Sequence, residues 1–325
     1  MVDVKFVESY LGYSQFRNSK LQGADFTGAN LHHTDLRGAN FRNALLRDAM
    51  LRNANLSGAD LTGADLTGAD LTGAILDHAI LQNTVLVSAD FTNARLLRAK
   101  FINVELRFTR FRYTRLDYSI FKEVVFDKAD FYGAKMIGVA MRGANLAMAN
   151  IEGVDFTRAN LRGADFSRSI WKDVIFNQAD MSQANLYAAT MSSNSFKRAN
   201  LRNVNAVSAN FSDSNLDGAN LHRMDATTAN FSWSSLDDVK AIDSIFESAL
   251  MPNASLRSGD FRRANFIGTK LISSSFAESD LTEANFFKAD IRGTDFSGAR
   301  LFQVKNLDEA TGLKKTRNLD PTTIR

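Results

Sequence analysis

An apolar residue recurs at every fifth position of this chain, without a slip, from Phe6 to Leu301. The series has 60 members: 27 Leu, 22 Phe, 5 Met, 2 Ile, Trp171 and the three alanines Ala206, Ala226 and Ala241. Two residues before each centre stands a small residue, mostly Ala, with Asn194 and Met224 as the clear exceptions. One residue before the centre Asp or Asn dominates, as in Ala59-Asp60-Leu61-Thr62-Gly63. Two residues after it Gly is favoured: 16 of the 19 glycines fall there, and Asn43, Asn53 and Asn83 share the slot. Gly and Asn tolerate a positive φ, so that slot reads as a turn. Period five fits neither regular element. On a helix five steps rotate each centre by about 140°, and on a flat strand successive centres alternate faces. A chain with one inward residue in five must turn once per repeat in one sense, which describes a solenoid wound around its own core.

The motif A-(D/N)-(L/F)-x-x, as in Ala24-Asp25-Phe26-Thr27-Gly28 and Ala159-Asn160-Leu161-Arg162-Gly163, resembles the pentapeptide-repeat family, over about residues 4–303. The resemblance implies an all-β fold, a right-handed quadrilateral parallel β-helix with four pentapeptides per coil. Sixty repeats then give about 15 coils, roughly 70 Å at the spacing of stacked strands. One continuous β-helix is expected over 1–303, with 1–10 as its N-terminal cap because Val4 and Ser9 fill the small slots poorly. A C-terminal cap and polar tail are expected over 304–325, including a short helix over Asn306–Leu313 that ends near Gly312. Phe287 and Phe302 lie near this end. They serve either the cap or a homodimer contact, the latter suggested by C-terminal dimers in the family.

Composition adds a few exclusions. All but three of the 25 Phe are inward centres, the others being Phe108, Phe287 and Phe302. The chain has no Cys, which removes disulfides, thiolate metal sites and a Cys nucleophile. Its four histidines, His32, His33, His78 and His222, fall in outward slots, and recurrent aspartates follow the repeat. No catalytic, cofactor or metal constellation is expected, and an enzyme is not. No run approaches the 18 apolar residues of a membrane span, and no signal sequence is apparent, so a cytoplasmic location is expected.

Charge is uneven along the chain although 39 Lys+Arg nearly balance 36 Asp+Glu. Between Asn53 and Ala94 the only charged residues are Asp60, Asp65, Asp70, Asp77 and Asp90, a candidate acidic patch. A basic, aromatic band follows: Arg95, Arg98, Lys100, Arg107, Phe108, Arg110, Arg112, Tyr113, Arg115 and Tyr118, all in outward slots. It is either a solvated face whose aromatics cover their neighbours or a docking surface. Two functions follow. One is a non-catalytic scaffold presenting rigid faces to a partner protein. The alternative, drawn from the family, is a DNA mimic that binds DNA gyrase or another topoisomerase, protecting it from quinolones or inhibiting it. The near-neutral total argues against a whole-length mimic, since duplex DNA of that length carries roughly 40 charges. Direct nucleic-acid binding is disfavoured by the acidic stretches that flank the band.

Overall fold

The structure is a computed structural model that describes residues 4–319. It divides into two compact units, the first Met1–Asn145 with Ile151–Asn160, the second Leu146–Asn150 with Leu161–Arg325. In each, the chain coils so that residues twenty apart form parallel bridges: Lys5 with Asp25, Tyr10 with Asn30, Gln15 with Asp35 and Lys20 with Asn40 begin four columns. We call these columns sides one to four. Extended segments lengthen the bridges into strands at β1 (Ile80–Gln82), β2 (Lys100–Glu105), β3 (Ile120–Val125), β4 (Asn150–Glu152) and β5 (Ile170–Lys172). The first three form a parallel sheet in the order β1-β2-β3, on side four for β1 and continuing from side four onto side one between β2 and β3.

The corners follow from the repeat. Every fifth residue from Glu8 to Gln303 has a positive φ, whatever its type. At most corners the N–H of the next small residue donates to the carbonyl of the preceding centre, as from Ala24 to Leu21 and from Ala29 to Phe26. Positive φ at the third residue with that bond is a type II turn. Each corner then hands the chain to the next side, and every centre from Leu21 to Leu301 is buried.

Coil spacing matches the stacking distance of aromatic rings, so phenylalanines twenty apart form ladders. Phe91, Phe111 and Phe131 stack at 5.0 Å per step, and Phe246, Phe266 and Phe286 at 5.3 and 5.1 Å. Hydroxyls in the small slot are satisfied internally: Thr84, Thr109 and Thr114 donate to the carbonyls of Leu61, Leu86 and Phe91, one coil back. Met224 is fully buried, as are the undersized centres Ala206, Ala226 and Ala241 of the same unit. One large side chain in a small slot offsets volume missing from the centres. Met224→Ala should therefore destabilise the protein by about 2–5 kcal/mol. Denaturant unfolding would show it; a loss below about 0.5 kcal/mol would refute the compensation.

Both ends depart from expectation. Lys5 and Tyr10 are ordinary rungs paired with Asp25 and Asn30, so residues 4–10 build the first coil and do not cap it. Met1–Asp3 lie outside the described residues. Phe6, Leu11 and Phe16, in the first coil, are half-buried. At the other end the expected helix over Asn306–Leu313 is absent. Asn306 takes φ 55° and shifts the register by one, which turns Leu307 and Ala310 inward. Thr311 then pairs with Asp290, and Arg317 with Asp295. Thr311 donates to Ala289 and accepts from Ile291, so backbone groups that a helix would need are bound to the preceding coil. A single 3-10 turn, Leu313–Lys315, follows Gly312 at φ 90°. The last six residues of the expected tail, 320–325, lie outside the described residues.

Candidate functional site

The ten residues of the basic, aromatic band are all exposed, but they do not share a side. Arg110 is on side two and Lys100 on side four, where it stands between Ile80 and Ile120. Arg107 and Phe108 form the corner between sides one and two, and Arg112 the next. Most of these cations are matched. Arg107 meets Glu105 at 3.2 Å and Asp127 at 3.3 Å, Arg110 meets Asp90 at 3.4 Å, and Arg112 meets Asp130 at 2.5 Å. Phe108 is 49% exposed, with the Lys128 ammonium 5.1 Å from its ring centre.

Side three gathers the rest. Arg95, Arg115 and Lys135 occupy consecutive rungs of one column. Tyr113 stands at the corner before this side and Tyr118 at the corner after it, 55% and 53% exposed. Their rings lie on the backbone of the next coil. A Cβ at Gly133 would stand 2.7 Å from the Tyr113 ring, and one at Gly138 2.6 Å from Tyr118, so both glycines are needed where they are. Stacked cations repel, and two acids at the corner offset this. Arg95 meets Asp77 at 2.6 Å and Arg115 meets Asp117 at 3.0 Å. Asp77 also accepts the Leu97 N–H at 3.1 Å, and buried Asp117 the Ile137 N–H at 3.2 Å. Arg98 and Lys135 make no ion pair among the described residues. Side three therefore offers fixed aromatic edges around a surplus of positive charge, an arrangement suited to holding a partner's surface.

The five acids are each matched as well. Asp60 meets Arg42 at 3.2 Å, Asp65 meets Arg47 at 2.5 Å, Asp70 meets Arg52, Asp77 meets Arg95, and Asp90 meets Arg110. Burial pushes the carboxyls of Asp60, Asp65 and Asp70 up. Hydrogen bonds from the threonine two residues on and from the arginine outweigh it and hold all three below the usual 3.8.

Against known families, a model described as pentapeptide repeats matches in eight copies, at residues 1–38, 9–48, 39–77, 76–107, 105–143, 138–163, 195–232 and 264–301. The chain belongs to the pentapeptide-repeat family. Among solved structures this pentapeptide-repeat protein is similar to one from the Arabidopsis thaliana thylakoid lumen, at 31% identity over 31% of this chain and 71% of that one, TM-score 0.31. It is also similar to HetL of the cyanobacterium Nostoc, a pentapeptide repeat protein involved in heterocyst differentiation regulation, at 22% identity over 97% and 92%, TM-score 0.17. QnrB1, a plasmid-mediated fluoroquinolone resistance protein, matches at 17% identity over 69% and 91%, TM-score 0.27. No curated protein matches the chain.

Other surface groups of the pentapeptide-repeat protein fall as follows. Among the described residues no three His, Asp or Glu are placed to hold a metal ion, and no helix is long and apolar enough to cross a membrane. His32 and His33 join Tyr10 and Tyr13 in an outward ring cluster, with Tyr13 stacked on His33 at 5.0 Å. That contact was available from the spacing of twenty between Tyr13 and His33. Phe302 is 63% exposed, while Phe287 is half-buried with the Lys288 ammonium 4.9 Å from its ring centre. The Arg37 guanidinium hydrogen-bonds Asp35 and, against the cost of burial, holds its carboxyl at about 2. Carboxyls depressed in the folded state stabilise it above about pH 4, and that contribution is lost as pH falls from about 4 to 2. Urea midpoints should follow that course, and a midpoint flat down to about pH 2 would contradict the ion-paired surface.

Proposed function

We propose that this pentapeptide-repeat protein is a non-catalytic scaffold that docks another protein on side three of its first unit. The observation that carries this reading is the Arg95, Arg115 and Lys135 column, framed by Tyr113 and Tyr118. Tyrosine and arginine are the residue types that dominate interface energetics. Here their backbones are set by inter-coil hydrogen bonds and the tyrosine rings rest on glycine, so little order remains to be imposed on binding.

A gyrase- or topoisomerase-binding DNA mimic would draw on rows of unpaired carboxylates. The pairing of Asp60, Asp65, Asp70, Asp77 and Asp90 with arginines supports the scaffold reading over that one. A photoreactive phenylalanine at Tyr118, against one at Phe302, tests the docking surface in native extract. Side three should yield a discrete crosslinked partner from position 118. Crosslinking from 302 alone would overturn the assignment.

A further inference from the structure

The corner after side three also holds a shallow groove of about 380 Å³. Asp77, Leu97, Asp117 and Ile137 line it in one column, and His78, Arg98 and Tyr118 in the next. We propose that this groove seats a carboxylate side chain from an acidic segment of the partner protein. The proposal rests on the docking reading and gives it a chemistry.

The groove's own acceptors are already engaged. Asp77 takes the Leu97 N–H and the Arg95 guanidinium, while Asp117 takes the Ile137 N–H and the Arg115 guanidinium. Arg98 is left between His78 and Tyr118, one rung of about 4.8 Å on either side. Its backbone is pinned by the bond from its N–H to the Asp117 carbonyl, 3.0 Å. The residues beside it bring an imidazole and a phenol, and the Tyr118 ring is fixed on Gly138. What the column lacks is an acceptor-only anion, and a carboxylate meets a guanidinium with two parallel hydrogen bonds.

Local charge selects the source of that anion. Arg95, Arg98, Arg115 and Lys135 against Asp77 and Asp117 leave four minus two, or +2. That suits one or two carboxylates. A nucleic-acid strand would bring a charge with every nucleotide against Asp77 and Asp117 here and Asp90 and Asp130 on the adjoining side.

The test uses the full chain and a fluorescein-labelled ten-residue peptide of alternating glutamate and serine, read by anisotropy. Its glutamine counterpart and a ten-nucleotide single-stranded DNA are the comparison probes. Arg98→Glu should weaken the glutamate peptide about tenfold or more, as should Arg98→Gly, which suits the positive φ at this corner. Arg142→Glu, the same charge change at the corner between sides four and one, should leave it within about twofold. Equal losses at positions 98 and 142, equal binding of the glutamine peptide, tighter Arg98-dependent binding of the DNA, or no binding would each overturn the proposal. If crosslinking from position 118 persists under any of those outcomes, the carboxylate seat fails and the docking reading stands. If it is lost too, both fail.

Discussion

Phe111→Ala should lower the stability of the first unit by about 3–5 kcal/mol, the cost of emptying a phenyl site that cannot collapse. Phe111 is fully buried, with Phe91 and Phe131 stacked on its two faces and Phe101 against its edge at 5.9 Å. Its neighbours are held at coil spacing by backbone hydrogen bonds, so they cannot close over the gap. Phe111→Leu, a residue already common at centres, should cost far less, about 1–2 kcal/mol. Denaturant unfolding of the full chain, with circular dichroism as the probe, measures both. Equal costs for the two variants would contradict the emptied-site account, because leucine refills most of the volume that alanine leaves open.

Asn194→Ala should cost about 2–4 kcal/mol in the second unit, although it removes only a small side chain. Most corners close with a backbone bond from the small residue to the preceding centre. Between Trp171 and Val174 that bond is replaced by Asn194 from the next coil. Its carbonyl oxygen accepts the Val174 N–H at 2.7 Å and its amide donates to the Trp171 carbonyl at 2.8 Å. One coil on, Ser214 does the same with a hydroxyl, accepting the Asn194 N–H at 3.2 Å and donating to Met191 at 2.8 Å. Asn194 is buried, so alanine would leave the Val174 N–H without its acceptor in a dry interior. Asn194→Ser should recover a good part of the loss. If serine is no better than alanine, the inserted amide is not what holds this corner.

These two cases mark how much the sequence disclosed. The core was legible because one inward residue in five leaves no other regular structure, and ladders such as Phe91, Phe111 and Phe131 follow from a step of twenty. Asn194 was visible as an exception in the small slot, but its role was not, because the open corner it closes lies twenty residues earlier. The surface misled for the same reason. Reading charge along the chain made Asp60, Asp65 and Asp70 part of an acidic patch, yet they meet Arg42, Arg47 and Arg52, each eighteen residues back. Eighteen is one coil less two: an arginine just after a centre reaches an aspartate just before the centre above it. The band from Arg95 to Tyr118 likewise runs around all four sides. Only wrapping at twenty separates Arg95, Arg115 and Lys135, with their flanking tyrosines, from arginines matched elsewhere. Lys135 fell outside the band as read linearly. At the C-terminal end, a one-residue shift at Asn306 was enough to turn an apparent helix into another stretch of coil.

The docking claim is tested most directly by quantitative affinity capture of the tagged protein, comparing charge reversal on side three with the same reversal elsewhere. Arg115→Glu with Lys135→Glu should reduce the enrichment of the partner crosslinked from position 118 by about tenfold or more. Arg107→Glu with Arg110→Glu, two arginines off side three, should leave that enrichment within about twofold. Retained capture by the first pair, or equal loss by both, would contradict a docking wall on side three.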